Sequence, residues 1–193
     1  MPRLPRCLAL AIAIVLAACG GGQAAATPAP SRPAVPPGWI EVTEDRGEVH
    51  LFLPPDIKPL STNGTIFANT PPGPLGPIWW EVQATGPWSV DPQPRPSESL
   101  AEWLEGGVLE HARARGWTTT EAVALPAGDA LRVETTVDTD TPNPTLVIRY
   151  AIRTSAGIGV LQIVGPPSQF DERAEELELI AMLLDFAMPN DEP

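Results

Sequence analysis

Three stretches in the second half of the chain alternate apolar and polar residues: Ala130 to Asp138, Thr145 to Thr154 and Ile158 to Val164. Period-two alternation places one set of side chains on each face of an extended strand. The segments between them are short and rich in turn formers, so successive strands must pair antiparallel as hairpins. A register follows if Asp138 is set opposite Thr145. Val137 then faces Leu146, Thr135 faces Ile148, Val133 faces Tyr150 and Leu131 faces Ile152 on one side. On the other side Glu134 faces Arg149, a favourable cross-strand charge pair. The second hairpin, turning at Ser155-Ala156-Gly157, sets Leu161 beside Tyr150 and Ile163 beside Ile148.

A helix is predicted to close the chain. Ser168 or Asp171 can cap it, and Glu172, Glu175 and Glu176 complement the positive end of its dipole. Ala174, Leu177, Ile180, Ala181 and Leu184 fall on one stripe, widened by Leu179, Met182, Leu183 and Phe186.

The first half carries shorter signals. Trp39 to Thr43 alternates, and Val49 to Leu53 alternates until Pro54-Pro55 stops it. Thr65 to Ala68 forms a third candidate strand after an Asn63-Gly64 turn. Thr70 to Pro77 (TPPGPLGP) excludes regular structure. Ile78 to Ala84 then alternates, with Ile78, Trp80, Val82 and Ala84 on one face and Trp79, Glu81 and Gln83 on the other. A helix is expected after Pro96, capped by Ser97 or Ser99, and Ser99 with Glu102 has capping-box spacing. Its apolar face is Leu100, Trp103, Leu104, Val108, His111 and Ala112. Gly106-Gly107 falls in its middle and Gly116 at its end. Antiparallel strands with helices packed on them make an α+β domain.

That succession of a short strand, an apolar strand ending at proline (Val49 to Pro54), a Trp-containing strand, a helix, a meander and a last helix resembles the PsbP-like superfamily. The superfamily includes the LpqN-like lipoproteins and the DcrB-like proteins. Members often have an aromatic soon after the strand-ending proline, where this chain has Pro55-Asp56-Ile57. The resemblance covers Trp39 to Met188. It implies an antiparallel sheet flanked by two main helices, an α/β/α sandwich. It also implies accessory, assembly or binding roles, and it brings no catalytic residues with it.

The N-terminus states an address. Arg3 and Arg6 precede eleven apolar residues, Leu8 to Ala18, too few for the roughly 20 of a spanning helix and suited to a signal-peptide core. Leu16-Ala17-Ala18-Cys19 resembles a bacterial lipobox, in which cleavage leaves a diacylglyceryl cysteine as the first residue. The expected organisation is a signal peptide over 1–18 and a lipidated Cys19 with a Gly/Pro-rich tether over 19–38. A single domain follows over 39–188, then a disordered tail over 189–193. Cys7 leaves with the signal and Cys19 is acylated, so the domain has no disulfide and must hold by its core alone. The location implied is extracytoplasmic, on a cell membrane through the lipid.

Without the signal the chain carries 10 basic residues against 24 acidic ones. That charge excludes nucleic acid as a partner and disfavours anionic headgroups. No P-loop, nucleophile elbow or dinucleotide fingerprint occurs. His50 and His111 lack further ligands at zinc spacing, and Asp138, Asp140 and Asn143 fall short of a calcium loop, so no metal and no cofactor is expected. Glu41, Glu81 and Glu134 are the carboxylates that an acid–base site would draw on. The aromatic residues are the better lead: Trp79 and Trp88 stand beside Pro-rich loops, where they either contact a ligand or partner or pack beneath those loops. The function expected is a binding or assembly module without catalysis, its partner an envelope protein or a small apolar ligand. The alternatives are a carrier of an apolar ligand or lipid, and a carboxylate-dependent envelope hydrolase.

Overall fold

The computed structural model describes residues 30–71, 80–90, 98–103, 119–137 and 144–187. The element order begins β1 (Ile40–Thr43), β2 (Val49–Leu53), β3 (Lys58–Ser61), β4 (Thr65–Asn69) and β5 (Glu81–Thr85). Helix α1 (Leu100–Trp103) follows, then β6 (Thr119–Leu125), β7 (Gly128–Val137), β8 (Thr145–Thr154) and β9 (Gly157–Gly165). A short 3₁₀ turn at Pro167–Gln169 leads into α2 (Phe170–Leu183), and β10 (Asp185–Phe186) comes last. The chain is α+β, and every strand pair is antiparallel. A seven-stranded sheet runs β3-β4-β5-β9-β8-β7-β6, and a small sheet runs β1-β2-β10. No helix among the described residues is long and apolar enough to cross a membrane.

Both faces of the large sheet are covered. On one face, Ile66, Val82, Leu161, Ile148 and Ile152 form the main core with Val49, Leu51 and Leu53 of β2 and Leu177, Ile180 and Ala181 of α2. On the other, Val133, Ala151 and Ile158 meet Leu100 and Trp103 of α1. α1 starts at the expected capping box: the Ser99 N–H donates to Glu102 Oε2 at 2.8 Å, and the Glu102 N–H to Ser99 Oγ at 3.1 Å. Those backbone and side-chain hydrogen bonds from Ser99 lower the Glu102 pKa. α2 carries no side-chain cap, its N-cap residue being Gln169. The expected Ser168 or Asp171 cap is not used, because the 3₁₀ turn leads directly into the helix. His111, Gly106-Gly107 and Gly116 lie outside the described residues.

The β8–β9 hairpin pairs Tyr150 with Leu161 and Ile148 with Ile163, as the sequence predicts. The β7–β8 register differs by one residue: Val137 opposes Thr145, Glu134 opposes Ile148 and Val133 opposes Arg149. Such a slip moves every β7 side chain to the other face. Val133 therefore packs under α1, while Arg132 and Glu134 share the α2 face with Tyr150. The expected Glu134–Arg149 pair does not form. Glu134 pairs instead with Arg132 at 2.6 Å, and Arg149 Nε donates to Gln162 on β9 at 3.1 Å. Burial lowers the Arg149 pKa.

Trp80 is core, as expected. Its ring lies against Gly165, where any Cβ would overlap it, and the Arg173 guanidinium sits 5.7 Å from its centroid. The segment before β1 is held to the domain: Arg32 ion-pairs with Asp185 of β10 at 3.0 Å.

Candidate functional site

Two clusters of ionisable side chains are built into the fold. The first joins the β1–β2 and β3–β4 turns. Glu44 is 2% exposed, and its Oε2 accepts from the N–H groups of Arg46 (3.0 Å) and Glu48 (3.4 Å) while Oε1 accepts from Gly64 (2.9 Å). Asp45 accepts from the Thr62 hydroxyl in the same cluster. Glu48, also 2% exposed, lies over Gly86, with its Oε1 3.8 Å from Arg46. Trp88 stands two residues past Gly86 and is half exposed. The polar atoms of this cluster are occupied by one another and by backbone, which makes it a brace between turns.

The second cluster faces open space. Register across the large sheet aligns Ile66, Ala84, Leu161, Tyr150, Arg132 and Glu121 in one row on the α2 face. The row is apolar under the small sheet and turns polar from β8 to β6. Above the polar end, α2 presents Phe170, Ala174, Leu177, Glu178, Ala181 and Met182 on one side of the helix. Ala174 and Ala181 are the small side chains on this side, and a cavity of about 440 Å³ lies between helix and sheet. Val123, Ala124 and Leu125 of β6, Arg132 of β7 and Ile148 and Tyr150 of β8 form its opposite wall, with Glu121. Small-molecule sites are typically about 300–1,000 Å³ and mostly apolar with a few polar groups, as here.

The polar groups are coupled. The Arg132 guanidinium donates to Tyr150 and to Glu134. Burial works to lower the Arg132 pKa, but those hydrogen bonds and charges outweigh it, and the net shift is upward. Burial raises the Tyr150 pKa, the Arg132 hydrogen bond opposes that, and the charges of Glu178 and Glu134 add to it. Tyr150 therefore keeps its hydroxyl proton at physiological pH.

The aromatic lead of the sequence is placed elsewhere. Trp88 does not line the cavity, and Trp79 and Cys19 lie outside the described residues. Glu41, Glu81 and Glu134 stand on β1, β5 and β7 and are not brought together. Burial raises the Glu81 pKa. His50 Nδ1 lies 3.2 Å from Thr43 Oγ1 and 3.6 Å from Glu41 at the surface. Asp138, Asp140 and Asn143 lie outside the described residues, among which no three His, Cys, Asp or Glu side chains converge. Sequence reasoning passed over the cavity residues. Their signal is Ala174 and Ala181, one heptad apart on a stripe otherwise filled by large side chains.

No family model and no curated protein matches the sequence. Solved structures do. The cyanobacterial PsbP protein CyanoP of Synechocystis superposes with a TM-score of 0.50 at 8% identity, over 89% of this chain and 99% of that one. A Pseudomonas aeruginosa protein of unknown function gives 0.49 at 7% identity, over 80% and 99%. LpqN of Mycobacterium tuberculosis, described as involved in cell envelope biogenesis, gives 0.40 at 12% identity, over 85% and 88%. The likeness to CyanoP is one of fold: the domain has a PsbP-like fold, an antiparallel sheet with helices on both faces.

Proposed function

We propose that the chain is a lipid-anchored, extracytoplasmic binding module without catalytic activity, and that its ligand is a small molecule with an apolar body held between α2 and β6–β8. The cavity carries this reading: nine of its thirteen lining residues are apolar, and Arg132 and Tyr150 place a polar pair on its sheet wall. A cavity left open where an alanine-to-leucine exchange could fill it costs stability in the empty protein, which a ligand recovers. The anchor rests on the lipobox that ends at Cys19. The segment between Cys19 and Arg32 then sets the domain's distance from the bilayer, because Arg32 is held on the domain by Asp185.

One experiment tests both parts. Mass spectrometry of the full protein extracted from membranes in detergent should give, after denaturation, a chain beginning at Cys19 with a diacylglyceryl mass. Under native conditions it should give an additional non-covalent adduct, absent from Ala174→Trp, whose indole fills the cavity. An unmodified cysteine overturns the anchor. An empty wild-type protein, or equal adduct occupancy in Ala174→Trp, overturns the ligand site.

A further inference from the structure

The charges around the cavity decide what head group its ligand carries. Arg132 is the one cation in the cavity wall, and Glu134 neutralises it at 2.6 Å. The exposed carboxylates Glu121 and Glu178 line the opening from β6 and α2, and among the described residues the one cation lining the cavity is Arg132, opposite Glu121 and already paired with Glu134. Glu178 is close enough for its charge to act on the Tyr150 hydroxyl. An anionic amphiphile entering body-first would leave its head between two carboxylates, whereas an ammonium head would find one on each side. The chain's net charge of −12 has the same sign as this local field.

We infer that the cavity selects cationic amphiphiles: an aliphatic body of about eight carbons or fewer rigid rings, ending in an ammonium group seated between Glu121 and Glu178. This rests on the reading of the cavity as the ligand site, and the test separates the two.

The full lipidated protein in phosphatidylcholine nanodiscs, labelled with ¹³C-methyl methionine, supplies a local probe. Met182 lines the cavity and Met188 lies beyond β10, so the Met182 methyl reports entry and Met188 reports non-specific partition. Octylammonium, octanol and octanoate are titrated separately. The expected order of affinity is octylammonium, then octanol, then octanoate, with about tenfold between first and last from two exposed carboxylates. The preference shrinks as salt is raised. Glu121→Gln with Glu178→Gln should reduce it to within about twofold. Octanoate binding as tightly as octylammonium, or a preference that survives the double variant, overturns the head-group assignment and leaves the cavity as a ligand site. A Met182 signal that no probe moves overturns both.

Discussion

The Glu44 turn cluster and the Arg132–Tyr150 wall are both made of buried ionisable groups, and they differ in what stands in front of them. Glu44 Oε2 accepts from two backbone N–H groups of the β1–β2 turn and Oε1 from one of the β3–β4 turn, so the carboxylate is spent on holding those turns together. Arg132 is paired with Glu134 and Tyr150, and Arg132 and Tyr150 also line a void of about 440 Å³. Burial of charge alone therefore does not mark a site in this fold. Charge beside unfilled volume does, because a group with spare hydrogen-bonding capacity and room can gain a partner that the protein does not supply.

The sharpest way to break that contrast is Glu44→Ala. It strips acceptors from the N–H groups of Arg46, Glu48 and Gly64, and it leaves the β1–β2 and β3–β4 turns joined through Asp45 and Thr62. The expected cost is about 3 kcal/mol, read from urea unfolding, with the affinity of the cavity for its ligand unchanged in the folded fraction. A cost below about 1 kcal/mol would mean that water replaces the carboxylate and that the cluster is no brace. Tyr150→Phe is the matching change at the wall. It keeps the ring in the core and removes only the hydroxyl next to Arg132, so stability should fall by about 1 kcal/mol or less while amphiphile affinity shifts severalfold. If Tyr150→Phe destabilises as much as Glu44→Ala, the polar wall is structural too and the contrast fails.

The sequence was most legible where one signal had one physical cause. β2 was read at its observed bounds because alternation ended on Pro54-Pro55, and α1 began where Ser99 and Glu102 reciprocate. The β8–β9 register held because the tight turn at Ser155-Ala156 fixes it. The β7–β8 register slipped because the sheet is covered on both faces. β7 does alternate, but its Leu131 and Val133 side packs beneath α1, whereas β8 is apolar on both faces, with Ala151 opposite Leu131 and with Ile148 and Ile152 in the main core, so the pattern did not say which β8 face that side joins. Glu134 and Arg149 then supplied a plausible but wrong tie. β3 and β6 are the sheet's two edges and were missed: β3 is exposed throughout and contains Pro59, and β6 is largely exposed on its described side chains. The cavity was illegible for a different reason. Ala174 and Ala181 read as ordinary buried stripe, and whether an alanine meets a neighbour or a gap depends on how far the helix stands from the sheet.

The smallest expected effect is also the one that tests the electrostatics of the brace. Glu48 is buried beside Glu44, and its pKa is raised, first by burial and then by the Glu44 charge, with exposed Arg46 opposing. A carboxyl whose pKa in the folded chain lies above its ordinary 4.5 binds its proton more tightly folded than unfolded. At neutral pH both states are ionised and the folded state bears the full cost of the charge. That cost fades as pH falls through the folded pKa and is gone below about 4.5, where both states are protonated. Glu48→Gln removes the charge at every pH, so it should raise Tm at pH 7 by about 1–3 °C and lose that advantage as pH approaches 4. An advantage that grows on acidification would have the wrong sign for a raised pKa. Glu48 would then be contributing stability as a carboxylate, and the turn cluster would hold two working charges instead of one brace and one tolerated neighbour.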